Sequence, residues 1–212
     1  MTRRLLLVLL AAALCLAGCT SSHSSAPSAS PSALDPDTGG GTYAGIGLTP
    51  PQPRPAFTLT DTAGKSFSFA TATAGRPTLL YFGYTNCPDI CPETFANISL
   101  ALQKVPAALQ KTVDVVFVTT DVKRDTAAAI SQWLAHFSVG QAARFIGLRG
   151  TQAQINLAEA AAHIFLAQDD GQTHSAEVLL FGPDNYARVS YAYNGAAEQT
   201  EIAHDLPLVA KT

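Results

Sequence analysis

Apolar and polar positions alternate with two different periods in this chain, and the switches between them mark out the elements. "AFTLTD" (56–61) and "KSFSFA" (65–70), joined through Thr62, Ala63 and Gly64, alternate at every residue and predict a β-hairpin. "PTLLYFGY" (77–84) and "VDVVFVTT" (113–120) are nearly continuous apolar runs, as expected of strands buried on both faces. Between them Phe95, Ile98, Leu102 and Val105 recur at helical spacing. "DTAAAISQWLAHFS" (125–138) places Ile130, Leu134 and Phe137 on one helical stripe, and "ARFIGL" (143–148) is a third strand. "TQAQINLAEAAAHIF" (151–165) predicts a helix capped by Thr151. "AEVLLFG" and "ARVSYAY" flank the turn Pro183-Asp184-Asn185 as a closing hairpin, and a last helix starts near Ala196. Strands alternating with helices and ending in a hairpin define an α/β sandwich with parallel central strands in a mixed sheet. Ligands gather at the carboxyl ends of such strands.

The N-terminal segment follows different rules. Arg3 and Arg4 precede an apolar run from Leu5 to Leu16, too short for a transmembrane helix, which needs about 20 residues. A basic start, a short apolar stretch and the small residues Ala17 and Gly18 before Cys19 read as a secretory signal over 1–18. Small residues ending in cysteine resemble a bacterial lipobox, in which Cys19 takes a lipid and anchors the chain on the outer face of the cell membrane. Residues 19–54 are rich in Ser, Ala, Pro and Gly and predict a flexible tether, with His23 in it. Residues 55–212 then suffice for one domain with its own core. A net charge of −3 without a basic run argues against nucleic acid as a partner.

Removal of Cys15 with the signal and lipidation of Cys19 leave Cys87 and Cys91 as the thiols of the mature chain. They stand in "YFGYTNCPDICPET", spaced C-x-x-x-C at the carboxyl end of a buried strand, each followed by proline. Pro92 suits the first position of a helix and disfavours helical backbone at Cys91. The helix is therefore expected to begin at Pro92, with Cys91 near its N-cap, where the helix dipole favours the thiolate. This spacing permits a disulfide or a shared metal. Asp89 and Glu93 lie beside the thiols, whereas Arg76 and Lys104 are the nearest basic residues in sequence, so local charge favours a cation over disulfide exchange. Two thiolates suit Cu(I), and an added imidazole lets the site hold Cu(II) as well. Of the histidines, His136, His163 and His204 fall in helical segments, while His174 follows the polar, mobile-looking loop "AQDDGQT" and immediately precedes a strand.

With these residues in place, "FGYTNCPDICPET", "VVFVTTDVKRDT", "FIGLRGT" and "THSAEVLLFGPDN" together resemble the Sco (SenC) family of thioredoxin-like copper proteins, over nearly all of the chain from Pro55. The resemblance implies a thioredoxin-like, peroxiredoxin-related sandwich with an N-terminal β-hairpin. It implies copper held by Cys87, Cys91 and His174, and its delivery to the copper A centre of a cytochrome c oxidase subunit. Copper-donor and thiol-reductant proteins would be further partners, and Cys87 and Cys91 a redox-active pair. The alternative is a thiol-disulfide oxidoreductase that keeps target cysteines reduced. Asp121 matches an acid of the family's Asp-Pro-x-Arg-Asp-Thr segment, although Val122 stands where proline is usual. Asp121 and Asp89 are expected to support the site electrostatically, with a turn or cap role the alternative for Asp121. Arg124 and Asp125 are expected to pair or cap the following helix. Gly182-Pro183-Asp184-Asn185 departs from the usual Asp-Pro-x-Gly, and Asn185 can adopt the left-handed turn conformation.

Overall fold

The computed structural model describes residues 42–212. The signal segment, Cys15, Cys19 and His23 lie outside these residues. Among the described residues, eight strands form one sheet in the order β1-β8-β7-β4-β5-β6-β2-β3. They are β1 (Ile46–Pro53), β2 (Thr58–Asp61), β3 (Ser66–Ser68), β4 (Thr78–Gly83), β5 (Asp114–Thr119), β6 (Arg144–Arg149), β7 (Glu177–Phe181) and β8 (Tyr186–Ala192). The helices are α1 (Phe69–Ala72), α2 (Ile90–Lys104), α3 (Ala107–Gln110), α4 (Ala127–Ser138), α5 (Gln152–Ala161) and α6 (Ala197–Val209).

Pairing is parallel for β4, β5 and β6, and antiparallel for β4 with β7 and β7 with β8. The expected N-terminal hairpin is β2 with β3, and it joins the sheet against β6. Alternation along the central strands builds two cores. Leu79, Tyr81, Val115 and Phe117 face α2, α4 and α6, while Leu80, Phe82, Val116 and Val118 face α1 and α5. Both faces are covered, which is why β4 and β5 are continuously apolar. On the first face Phe95 of α2 is fully buried and meets Tyr81, Phe117, Trp133 and Phe137 edge-on or tilted, with ring centroids 4.7 to 5.9 Å away. Burial of one such ring contributes about 1.5–3 kcal/mol.

Two expectations about boundaries are corrected. Residues 46–53, read as part of the tether, form β1 and pair with β8. Pro50, Pro51 and Pro53 mask the strand in the sequence, but β1 is an edge strand whose register shifts between Gly47 and Gln52, and such strands tolerate proline. Arg54 locks its end. The guanidinium donates to Thr73 Oγ1 (2.8 Å), Gly182 O (2.8 Å), Arg76 O (3.1 Å) and Asn185 Oδ1 (3.1 Å), and lies 5.0 Å from the Phe181 ring centroid. Its burial, which lowers its pKa to about 10, is offset by these bonds. Upstream, Asp205 of α6 accepts from the Ala44 and Gly45 amides at 2.7 and 2.9 Å. The second correction is the end of α5, which stops at Ala161 because His163 takes a left-handed φ of 55°. At its start, Thr151 and Gln154 form a reciprocal capping box. Asn185 takes the left-handed conformation that the β7–β8 turn requires, with φ 69°.

Glu198, in the first turn of α6, is fully buried and accepts from Asn97 Nδ2 of α2 at 2.9 Å, while its other carboxylate oxygen has no partner. Burial raises its pKa from 4.5 to about 7. Because the folded value lies above the unfolded one, the folded chain binds this proton more tightly, and stability falls as pH rises from about 4.5 through about 7. Glu198→Gln is expected to be more stable than the parent at pH 8, by no more than about 3 kcal/mol, and to equal it at pH 4. Urea denaturation at both pH values checks this, and an equal effect at both excludes a proton-linked origin.

Candidate metal centre

The topology brings distant segments together. Because β7 runs antiparallel to β4, with Tyr81 opposite Val178, the chain entering β7 lies at the carboxyl end of β4. The β4–α2 loop with Cys87, the β5–α4 loop with Asp121, and the segment carrying His174 therefore meet at one end of the sheet.

The helix that carries Cys91 begins earlier than expected. Asp89 is its N-cap, with its carboxylate accepting from Ile90 N at 2.6 Å, and Cys91 is already inside the first turn. An Asp cap satisfies a terminal amide, and Pro92 is tolerated because the first-turn amides have no partner within the helix. Asp89 Oδ1 also lies 3.9 Å from Cys87 Sγ. Cys87 is half-buried and its sulfur accepts from the Cys91 amide at 3.4 Å, whereas Cys91 is fully buried. Both are free thiols. Burial pushes the Cys91 thiol up to about 12, so the expected thiolate at the helix N-terminus gives way to a protonated thiol. Desolvation in this dry position outweighs the helix dipole, and a cation that binds the sulfur must displace its proton.

His174 Nδ1 donates to Ser175 O at 2.8 Å, which leaves the Nε2 lone pair facing Cys91 Sγ at 3.4 Å. Burial lowers the His174 pKa and keeps the ring neutral, the form that ligates metals. Tyr81 and Tyr84 hold the ring edge-on, at centroid distances of 5.9 and 5.5 Å. The donor atoms of Cys87, Cys91 and His174 all lie within 4.8 Å of one another. Three donors arranged trigonally about one ion at about 2.3 Å stand about 4 Å apart, so a shift of under about 1 Å would bring the widest pair to that spacing.

The surroundings hold residues that the sequence reading did not single out for the site. Tyr81 is buried in β4 and its hydroxyl lies 3.5 Å from Cys91 Sγ, placed to donate to it. Burial raises its pKa, so the O–H stays a donor. Asp125 is fully buried and accepts from Thr85 N (3.0 Å), Thr85 Oγ1 (2.5 Å) and Thr119 Oγ1 (2.6 Å), tying the cysteine loop to β5 instead of capping α4. Thr126 provides that cap through Ala129 N. Asp121 is buried but turned from the sulfurs. It accepts from the Arg124 amide at 3.1 Å and from the Arg124 guanidinium, the turn role, and Arg124 in turn lies 5.8 Å from the Tyr84 ring centroid. The loop before His174, read as mobile, is docked. Gly171 O accepts from Thr120 Oγ1 at 2.7 Å, and at φ 90° a Cβ on Gly171 would lie 2.0 Å from Thr120 O, so only glycine fits. His136, His163 and His204 are not part of the cluster.

Gly83 ends β4 directly under the sulfurs, where a Cβ would lie 2.6 Å from Tyr81 Cε1 and 3.0 Å from Cys91 Sγ. Gly83→Ala is expected to cost about 1–3 kcal/mol, because both neighbours sit on packed elements. Thermal unfolding checks the cost, and an unchanged midpoint shows that Tyr81 yields freely.

The sequence profile of the SCO1/SenC family matches residues 48–210. The chain belongs to the SCO1/SenC family. A putative copper-binding protein of Stutzerimonas stutzeri is 32% identical over 140 residues, covering 63% of this chain and 66% of that one. The chain thus matches less than two thirds of that relative's length, and 51% of the mouse mitochondrial SCO2 homolog. Among solved structures, Bradyrhizobium japonicum ScoI with copper bound is 28% identical, with a TM-score of 0.59 over 74% of this chain and 98% of that one. The solution structure of apo Sco1 from Thermus thermophilus is 25% identical, with a TM-score of 0.66 over 80% of this chain and 99% of that one. These likenesses establish the thioredoxin-like fold as that of Sco proteins, among them one solved with copper bound.

Proposed function

We propose that this SCO1/SenC protein is an extracytoplasmic copper chaperone that binds copper through the Cys87 and Cys91 thiolates and His174 Nε2, and passes it to the copper A centre of cytochrome c oxidase. The observation that carries this reading is the convergence of two thiols and a neutral, oriented imidazole within 4.8 Å. Soft sulfur donors favour Cu(I), and the imidazole extends the site to Cu(II). Copper is cargo here. It arrives from a donor protein and leaves by stepwise ligand exchange, which starts at the half-buried Cys87 because the buried Cys91 is less accessible. Residues 1–18 act as signal, Cys19 carries the lipid that holds the chain on the outer face of the membrane, and the segment after it is the tether. No helix among the described residues is long and apolar enough to cross a membrane. Oxidation of Cys87 and Cys91 to a disulfide removes both sulfur ligands, so a thiol-reductant partner gates loading.

The test is the copper content of the reduced chain after anaerobic exposure and desalting. About one equivalent is expected, with none in Cys87→Ser, Cys91→Ser or the oxidised protein. Full occupancy in either serine variant overturns the proposal. One observation favours a second reading, a thiol-disulfide oxidoreductase acting on target cysteines. A half-buried Cys87 beside a buried Cys91 is the arrangement of an attacking thiol with a resolving partner. Reduction of an oxidised dithiol peptide by the copper-free His174→Ala variant supports that reading, and failure of the parent chain to reduce it excludes it.

A further inference from the structure

Beside the three donors lies an open cavity of about 460 Å³ whose lining includes Ile46, Ile90, Ala176, Glu177, Ala192 and Tyr193. Its position ties it to the centre, because Ser175, whose carbonyl holds His174 Nδ1 at 2.8 Å, is part of its lining, as is Ile90 next to Cys91. The walls are mostly apolar and uncovered, with Ile46 37% exposed and Ala192 exposed. Acidic side chains stand in its wall and beside it. Glu177 is in the wall, Asp89 precedes Ile90, and Glu93 accepts from the Tyr193 hydroxyl. Among the described residues that line it, none is a lysine or arginine. Burial raises the Glu177 pKa, an effect that a cation docked against it would oppose.

We infer that this groove is the docking surface for the copper acceptor, and that it takes an apolar segment flanked by basic side chains. The inference rests on the copper-chaperone reading above and adds the chemistry of the partner. An apolar floor supplies burial on contact, and an acidic rim selects and steers a cationic edge while opposing an anionic one. Docked there, an acceptor's thiols approach Cys87, the more accessible of the two sulfur donors. The rim that attracts the acceptor also stabilises the cuprous ion before transfer.

The test uses the copper-free full chain in mild detergent and short fluorescent peptides carrying an apolar centre with lysines at both ends, with glutamates at both ends, or with serines throughout. Fluorescence anisotropy is expected to show binding of the lysine peptide at least about tenfold tighter than either of the others, weakening with added salt. Ala192→Lys and Ile46→Lys, both at exposed positions, are expected to lower that binding about tenfold while copper content stays at the parent level. Equal binding of the three peptides, or parent-level binding by both lysine variants, overturns the inference. Because binding is read without copper, absence of copper uptake by the parent chain points to failure of the chaperone reading, whereas loss of peptide selectivity points to failure of the docking surface, and the two are told apart.

Discussion

His174→Ala is expected to lower affinity for Cu(II) by about a hundredfold or more, and for Cu(I) by much less. Even groups that only orient a metal ligand are worth about 10–100-fold in affinity, and in the proposed centre His174 provides the donor atom itself. The asymmetry follows from ligand softness. The Cys87 and Cys91 sulfurs suffice for Cu(I), whereas Cu(II) needs the imidazole nitrogen. Among the described residues no other histidine belongs to the cluster, so the alanine leaves a cavity between Tyr81 and Tyr84 and no replacement imidazole. Chelator competition, run anaerobically with reductant for Cu(I) and without it for Cu(II), measures both constants. Equal losses for the two oxidation states, or none for Cu(II), would remove the imidazole from the centre. The Cu(II)-thiolate absorption band, which reports the remaining ligands, is expected to weaken in the variant.

The second large effect is Asp125→Ala, which should destabilise the fold by about 3 kcal/mol. That carboxylate is fully buried and accepts from the Thr85 amide and from the Thr85 and Thr119 hydroxyls. Its removal leaves these donors without their acceptor inside the protein. A loss of this size lowers the unfolding midpoint by roughly 6–12 °C in a domain of this length. Copper affinity is expected to fall about tenfold as well, since Thr85 stands two residues before Cys87 and is the loop's attachment to β5. Asp125→Asn keeps the shape and one acceptor oxygen, and should recover part of both losses. Asp121→Ala provides the contrast. Its partner Arg124 is 47% exposed and is solvated when the carboxylate is gone, so the expected cost is about 1 kcal/mol or less, with copper affinity unchanged. Parallel calorimetry and copper titration of the three variants decide the matter, and equal behaviour of Asp121→Ala and Asp125→Ala would refute the anchoring role.

The contrast between these aspartates shows where residue type stops being informative. Both stand in "TTDVKRDT" after a buried strand, and the resemblance to Sco proteins pointed to Asp121. The fold turns Asp121 toward Arg124 and sends Asp125 across to the cysteine loop. A side chain's partner across the sheet depends on strand register, which no local pattern encodes. Cys91 carries the same lesson for electrostatics. Its place at a helix start was legible and argued for a thiolate, but the packing of the first turn against Tyr81 and Phe95 buries it and reverses the outcome. Prolines concealed β1 because their effect on a strand depends on whether it lies at an edge.

Local periodicity alone determined the buried strands β4 and β5, the hairpin of β2 and β3, the amphipathic helices and the Thr151 cap, since each depends on neighbours within a few residues. Spacing and composition likewise put Cys87 and Cys91 at a strand's carboxyl end and marked out His174. Tertiary structure decided the rest: that antiparallel β7 brings His174 Nε2 to 3.4 Å from Cys91 Sγ, that Gly171 docks the loop on Thr120, and that Tyr81 faces the sulfur. These contacts join segments that share no local signal. They exist because the strand order of the sheet, with β7 antiparallel beside β4, sets which loops meet at its end.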